Sequence, residues 1–157
     1  MKLKELVSNK KKGLYVGMRV LEPSCSQIKE HCRSAGIPIA ESAGERRLHT
    51  TVLYSRKPCP NFVAEQAIVH GAEFICYELF NKRHDSNQKV LVIKLNAPTI
   101  VARHLTLMAE HNATFDFPVF TPHITIADGY SGDINSLPTI NFPITLGLEY
   151  SEELDDK

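Results

Sequence analysis

One short pattern occurs twice in this sequence, and its two copies restrict the possible folds more than any other feature. A histidine is followed two positions later by a threonine and then by an apolar residue, in His49-Thr50-Thr51-Val52 and in His123-Ile124-Thr125-Ile126. Each copy lies where apolar and polar residues alternate, which is typical of a half-buried strand. Because alternate side chains of a strand project to the same face, each copy presents a histidine and a hydroxyl side by side.

A strand and a helix precede each copy. The alternation from Gly13 to Leu21 predicts the first strand. Periodicity predicts a helix over residues 25–35, with a capping box at Ser24 and a C-terminal cap at Gly36. Val90 to Leu95 predicts the corresponding strand of the second half, and the helix that follows is expected to be capped by Asn96 and to end at Asn112. This repeated order predicts an α+β fold that is duplicated and two-lobed. Two antiparallel sheets would surround a central cleft, with the helices outside.

The predicted strands collect polar side chains on the face opposite the core. In the first histidine strand, parity places Leu53 with the histidine and Tyr54 on the other face. In the last predicted strand, Ile140 to Tyr150, parity places Glu149 on the polar face and Tyr150 on the apolar face. The residues expected together on the polar face are Tyr15, Arg19, His49, Thr51, His123, Thr125, Thr145 and Glu149.

Two histidines placed together suit proton transfer. The ordinary pKa of histidine, about 6.5, lets one imidazole act as a base while another acts as an acid. The nearby threonine hydroxyls, Thr51 and Thr125, can donate hydrogen bonds to an anion between the histidines. The other histidines lack this context and are interpreted as structural or solvent-facing: His31, His70, His84, His104 and His111. No HExxH motif, HxH motif or cysteine cluster is present, so no metal or other cofactor is expected.

Length and charge limit the remaining possibilities. The chain has 157 residues, which predicts one domain over 13–150, with a basic N-terminal segment 1–12 and an acidic tail 151–157. Lysine plus arginine and aspartate plus glutamate both number 18, so no global positive field favours long nucleic acids. No apolar run is long enough for a membrane span, and no secretory signal is visible. The 4 unpatterned cysteines are expected to be reduced thiols of a cytoplasmic protein.

The two motifs, with Phe120-Thr121-Pro122 before the second, resemble the signature of the two-histidine (2H) phosphoesterase superfamily. Within it, the chain is similar to the phage anti-CBASS phosphodiesterases, which degrade the cyclic oligonucleotide messengers of bacterial anti-phage defence. This closer resemblance lies in Gly13-Leu14-Tyr15-Val16, in Leu48 through Pro60 and in Ala113 through Ile126. Glu149-Tyr150 and the acidic tail that follows complete it.

The resemblance implies specific roles. His49 and His123 would be the catalytic pair, and Thr51 and Thr125 would hold the phosphate. The substrate-binding residues that it implies are Tyr15, Glu149 and, as an aromatic that stacks on a base, Tyr77. The implied reaction cleaves 3′-5′ bonds of cyclic di- and trinucleotides, such as 3′,3′-cyclic GMP-AMP, with help from the ribose 2′-hydroxyl. Its product would be linear and end in a 3′-phosphate, and its place would be the cytoplasm of the infected bacterium.

Two other functions are compatible with the motifs. One is an RNA-processing 2H enzyme that acts on 2′,3′-cyclic phosphate ends or on 2′-5′ linkages. The other is a non-catalytic protein that only sequesters a cyclic nucleotide. Zero net charge weighs against the first, and two intact proton-transfer groups weigh against the second. The preferred nucleotide, the assignment of base and acid between the histidines, and the oligomeric state stay open.

Overall fold

In each half of the chain, a strand, a helix and a histidine strand follow one another as the repeated pattern predicts. The computed structural model describes residues 12–39, 48–82 and 85–154, without the side chains of 82 and 85–87. Most of the predicted basic segment and the end of the acidic tail therefore lie outside the described residues. The strands and helices are β1 (Leu14–Val20), α1 (Ser24–Ala35), β2 (His49–Ser55), β3 (His70–Lys82), β4 (Asp85–Asn96), α2 (Pro98–His111), β5 (His123–Asp128) and β6 (Ile144–Glu153), with a short 3₁₀ helix at Ile134–Ser136. Because β6 continues through Glu153, the first residues of the predicted tail belong to the sheet.

The strands form one closed antiparallel sheet, in the order β1-β2-β5-β4-β3-β6. The α+β class is therefore confirmed, but the hydrogen bonds join the strands into one sheet where two were predicted. Closure arises because β2 pairs with β5 at Thr50 and Ile124, and β3 pairs with β6 from His70 to Ala72. Each of these pairings joins two strand edges whose backbone N–H and C=O groups would otherwise be unpaired.

The closed sheet contains two extensively paired halves. β1 lies between β6 and β2, and β4 lies between β3 and β5. Each half includes a strand, a helix and a histidine strand in succession, namely β1-α1-β2 and β4-α2-β5. The two histidine strands adjoin each other where the halves meet.

Both helices end where the sequence predicts. Gly36 caps α1 in the left-handed conformation at φ 73°, and Asn112 caps α2 at φ 47°. Their starts differ from the prediction. Asn96 is the last residue of β4 and caps no helix, and the Ser24 hydroxyl donates to the Pro143 carbonyl oxygen at 3.3 Å, so it makes no helix cap. Neither described helix is long and apolar enough to cross a membrane.

A β-bulge in β2 changes which residues face the histidines. Gly17 of β1 pairs with Thr51, whereas the residue before Gly17 pairs with Leu53, so Val52 is an extra residue. A bulge reverses the side-chain parity beyond it. As a result Tyr54 lies on the same face as Thr51, and Leu53 is buried on the other face, which is the reverse of the sequence prediction.

A second bulge in β6 has a similar effect. Gly17 pairs with Tyr150, but Arg19 pairs with Gly147, so β6 has one residue more than β1 in this interval. Leu148 takes up the difference with a left-handed backbone at φ 52°. The bulge moves Tyr150 to the face of Gly17 and Arg19, and Glu149 to the opposite face.

We call one face of the sheet the histidine face, because it carries His49, Thr51, His123 and Thr125, and we call the opposite face the reverse face. The reverse face and the helices form the core. Its fully buried side chains include Met18, Ile28, Leu53, Ile93, Ile100, Leu107 and Ile124. Burying this apolar face fixes the register, since a slip of one residue would bring the histidines into the core.

Candidate functional site

The two histidine motifs lie on adjacent strands and face the same way. Thr50 and Ile124 are opposite each other in the antiparallel pair and are both buried on the reverse face. Their neighbours therefore share the histidine face, with His49 beside Thr125 and Thr51 beside His123. Each histidine thus lies next to the threonine of the other motif. The structure brings together the four residues that the motifs predict as catalytic.

The backbone of the second motif is tied to the first. The N–H of His123 donates to the hydroxyl of Thr50 at 3.2 Å. Thr50 is the middle residue of its motif and is buried, so the sequence pattern assigned it no role. This bond fixes the position of His123 along β5 relative to His49 on β2.

His123 is held as a neutral imidazole with one nitrogen available. Its Nδ1 lies 2.9 Å from the carbonyl oxygen of Thr121, so Nδ1 carries the proton and donates it. Nε2 is then the nitrogen that can accept a proton. Burial lowers the pKa of His123, and the nearby His49 and Lys94 lower it further, against the raising effects of the Thr121 bond and Glu78. The ring edge meets Phe80, with centroids 4.9 Å apart.

His49 has aromatic surroundings. Its ring meets those of Tyr15 and Tyr150 edge to face, each at a centroid distance of 6.4 Å. Across the strand, His49 pairs with Arg19 of β1. Tyr15 and Arg19 were predicted on this face, whereas Tyr150 was not, because its place depends on the bulge in β6.

Hydroxyl groups connect Tyr150 with the first motif. The Tyr15 hydroxyl lies 3.2 Å from Thr51 Oγ1 and also interacts with the hydroxyl of Tyr150. Both phenols meet above Gly17, where an added Cβ would lie 2.6 Å from Tyr150 Oη and 2.9 Å from Tyr15 Oη. Burial raises the pKa of Tyr15 and of Tyr150, so both stay protonated at neutral pH and can donate hydrogen bonds.

A charged pair flanks His123 on its other side. Lys94 of β4 is opposite His123 in the sheet, and its Nζ lies 3.6 Å from an oxygen of Glu78. Both side chains are partly exposed on the histidine face. Lys94 sits inside an otherwise apolar run, and that interruption is the signal by which the sequence could have marked it.

The structure places Glu149 away from the histidines. Its side chain is fully buried on the reverse face, where Arg103 of α2 donates to both carboxylate oxygens at 2.9 and 2.7 Å. The N–H of Glu65 donates to it at 3.0 Å. These contacts tie α2 and the chain before β3 to β6. The predicted contact between Glu149 and substrate therefore does not follow from this arrangement.

Tyr77 also lies on the reverse face. Register links it through Ile93 to Ile124, so its ring points away from His123. The Tyr77 hydroxyl donates to the Pro138 carbonyl oxygen at 2.7 Å and accepts from His31 Nε2 at 2.6 Å. Burial raises the pKa of Tyr77 to about 12. The aromatic ring that adjoins His123 is that of Phe80, with centroids 4.9 Å apart.

Among the described residues, no three histidine, cysteine, aspartate or glutamate side chains are grouped closely enough to hold a metal ion. Imidazoles, hydroxyls and cations converge on the histidine face, with the carboxylate of Glu78 beside Lys94. Together they can bind an anion, donate protons to it and remove a proton from a group beside it.

Comparison with known proteins identifies a family. The sequence model of the anti-CBASS protein Acb1 matches residues 12–157. The protein of that name from Vibrio phage KVP40 is 29% identical over 156 residues, which covers 99% of this chain and 95% of the relative. The one from Enterobacteria phage T4 is 29% identical over 142 residues, with 90% and 88% covered. The one from Yersinia phage phiR1-RT is 31% identical over 144 residues, with the same coverage.

Proposed function

This chain belongs to the family of the anti-CBASS protein Acb1, and from that premise we propose that it counteracts CBASS by degrading the cyclic oligonucleotide signal. The relatives named above come from phages, so the place of action would be the cytoplasm of the infected bacterium. The observation that carries the enzymatic part of the proposal is the register at Thr50 and Ile124, which puts two histidines and two hydroxyls on one face.

In the proposed reaction His123 is the base and His49 the acid. Support comes from His123 Nδ1, whose N–H donates a hydrogen bond to the Thr121 carbonyl oxygen, and from burial, which lowers the pKa of His123 and keeps Nε2 free of a proton at neutral pH. His49 would protonate the leaving oxygen. Each such proton transfer contributes about 100-fold or more to a rate.

Thr51 and Thr125 would hold the non-bridging oxygens of the phosphate. Support for this role of Thr51 comes from the Tyr15 hydroxyl, which lies 3.2 Å from Thr51 Oγ1 and holds it in place on the histidine face. A donor aimed at charge that develops in the transition state is worth about 3 kcal/mol.

The attacking group would be the ribose 2′-hydroxyl next to a 3′-5′ phosphodiester. His123 removes its proton, the 2′-oxygen bonds to phosphorus, and the 5′-oxygen leaves with a proton from His49. Water then opens the resulting 2′,3′-cyclic phosphate, and the product is linear with a 3′-phosphate. The 2′-hydroxyl is already beside the phosphorus, so no freedom of motion is lost in bringing it there.

We also infer the duplicated, two-lobed 2H layout for this chain. The repeated units β1-α1-β2 and β4-α2-β5 support it, as does the short pairing of β2 with β5 compared with the pairing inside each half. For the stacking role predicted for Tyr77, Phe80 is the better placed residue because it adjoins His123 on the histidine face.

Cleavage assays with purified protein test this function. The substrates are a panel of cyclic dinucleotides and a short RNA that ends in a 2′,3′-cyclic phosphate, each in excess EDTA. We expect cleavage of a cyclic dinucleotide at an undiminished rate in the chelator. Cleavage of the RNA end alone would indicate the RNA-processing function, and tight binding without cleavage would indicate sequestration. Activity that EDTA abolishes and zinc or manganese restores would contradict the metal-independent reaction.

Two histidine variants locate the activity. His49→Ala and His123→Ala should each lower kcat at least 100-fold while the protein keeps its fold. His111→Ala, which removes a histidine of α2 away from the motifs, is the matched control. A rate within tenfold of wild type in either motif variant would rule out the two-histidine reaction.

A further inference from the structure

Each histidine has a basic residue beside it on the outer neighbouring strand. Arg19 of β1 pairs with His49 of β2, and Lys94 of β4 pairs with His123 of β5. Because β2 and β5 are neighbours, the two histidines lie on the two middle strands, and the two cations lie on the strands that flank them. Neighbouring strands are about 4.8 Å apart. Each cation is therefore one strand away from its histidine, on the side that faces away from the other histidine.

The two cations differ in their partners. Lys94 has the carboxylate of Glu78 at 3.6 Å. Arg19 makes no ion pair with any carboxylate in the described ranges, and its guanidinium carbon lies 4.4 Å above the ring of Tyr150. A guanidinium over a ring face keeps N–H groups at its edge, and these can bind an oxyanion in a bidentate manner. Arg19 is also only partly exposed, so its charge is less screened than on an open surface.

The Tyr150 ring under Arg19, called the platform, depends on two unusual backbone features. Tyr150 reaches the histidine face only because of the bulge at Leu148, with φ 52°. Its ring fits there only because residue 17 is glycine. These features hold the ring between His49 and Arg19, and so they fix the position of the guanidinium beside the first motif.

We propose that Arg19 on Tyr150 forms a second phosphate subsite, which binds the phosphate adjacent to the one being cleaved. This inference rests on the proposed function and specifies its substrate class. The cleaved phosphate lies between the histidines, whereas Arg19 lies beyond His49, so Arg19 meets a phosphate one nucleotide away. The preferred substrates then carry two or more phosphates in a compact ring, and a ligand with a single phosphodiester gains nothing from Arg19.

Ligand pairs that differ in phosphate number test the subsite. The probes are a cyclic dinucleotide with both 2′-hydroxyls replaced by hydrogen and a 2′-deoxy dinucleoside monophosphate, measured by calorimetry or by competition. We expect Arg19→Gln to weaken binding of the cyclic probe about tenfold or more, because a charge-assisted bidentate contact is lost. Binding of the single-phosphate probe should change less than threefold.

Three further proteins complete the design. Arg33→Gln removes an exposed arginine of α1 that pairs with Glu30, and it should leave both affinities unchanged. Arg19→Lys keeps the charge but not the planar fork, and it should weaken the cyclic probe less than Arg19→Gln does. Tyr150→Leu removes the platform and should weaken the same probe even if Arg19→Gln does not fold.

The outcomes separate this inference from the proposed function. An equal loss for both probes would place Arg19 at the cleaved phosphate, and no loss for either would remove the subsite; both results overturn the proposal. If the wild-type protein binds the ribose form of the cyclic dinucleotide but does not cleave it, the proposed function fails while a selective effect of Arg19 still supports the subsite.

Discussion

His49 and His123 belong to similar motifs but have different surroundings. His123 donates a hydrogen bond from Nδ1 to a backbone carbonyl and packs against Phe80, and burial lowers its pKa. His49 lies among tyrosine rings and beside Arg19. This difference is the basis of the separate roles that we propose for them, because a neutral imidazole is needed for the base and a protonated one for the acid.

The pH profile should report this difference. We expect kcat/KM to be bell-shaped, with an acidic limb below pH 6.5, because the lowered pKa of His123 keeps the base neutral in mild acid. Phe80→Ala lets water reach His123, so its pKa should rise toward 6.5 and move the acidic limb to higher pH. Phe117→Ala, at an exposed aromatic, is the control. If the acidic limb does not move in Phe80→Ala, the group whose titration causes that limb is not His123.

Glu149 is an example of a residue whose sequence position suggests one role and whose contacts suggest another. Its carboxylate accepts both N–H groups that Arg103 directs at it, and no part of the side chain is exposed. Removing the Glu149 charge takes away the buried partner of Arg103 and leaves it only the partly exposed carboxylate of Glu65, at 3.4 Å.

We therefore expect Glu149→Gln to lower the free energy of unfolding by about 3 kcal/mol, as measured by urea denaturation. The folded fraction should keep kcat within tenfold of wild type. Glu153→Gln, at an exposed carboxylate of the same strand that pairs with Lys12 at 3.6 Å, should change stability by less than about 1 kcal/mol. Loss of activity without loss of stability in Glu149→Gln would instead favour direct contact with substrate.

At the scale of the elements, two bulges decide what the histidine face contains. The bulge in β2 turns Tyr54 toward this face, and the bulge in β6 turns Tyr150 toward it and Glu149 away. β1 is the strand against which both bulges form. Gly17 lies between them, under the two phenol rings.

Gly17→Ala tests whether β1 must leave this space open. The new methyl group would lie within 2.9 Å of both phenol hydroxyls, so the rings must move and the hydroxyl chain to Thr51 breaks. We expect kcat/KM to fall tenfold or more, with a loss of stability of about 1–3 kcal/mol. Gly71→Ala is the matched control, because a Cβ at that strand position meets no atom within 4 Å. Equal activities of the two variants would show that the tyrosines need no fixed position.

At the scale of the whole molecule, His104 connects the parts that carry the two motifs. Its Nδ1 donates to the Val52 carbonyl oxygen at 2.7 Å, three residues after His49. Its ring stacks on Phe120 with centroids 4.0 Å apart, three residues before His123. Helix α2 thus holds both motif-bearing segments through one buried histidine, which the sequence only classed as structural or solvent-facing.

This arrangement should make the fold sensitive to acid. Burial lowers the pKa of both His104 and His123, so the unfolded chain binds more protons than the folded one in mild acid. The stability is present above pH 6.5 and declines as the pH falls through the folded pKa values. We expect the free energy of unfolding to decrease between pH 7 and 5, less steeply in His104→Gln than in the control His111→Gln. A steeper decrease in His104→Gln would contradict this assignment.

Three features could be predicted from the sequence: the repeated order of strand, helix and histidine strand, the helix ends at Gly36 and Asn112, and the common face of each histidine and the threonine two positions later. These features depend on alternation, periodicity and capping, which act over a few residues. The same local parity predicted the polar face correctly for Tyr15, Arg19 and the two motifs. The extra residues lie in β2 after Thr51 and in β6 near Leu148, so the alternation within β1 and from each histidine to its threonine is unbroken.

Parity failed beyond the bulges. Leu53, Tyr54, Glu149 and Tyr150 each lie on the face opposite to the predicted one, since an extra residue in one strand shows itself only against its partner strand. The closure of the sheet at Thr50 and Ile124 is likewise a pairing of distant segments. Which side chains surround the histidines was therefore decided by the tertiary structure, because strand pairing and helix packing choose the register that buries the apolar face.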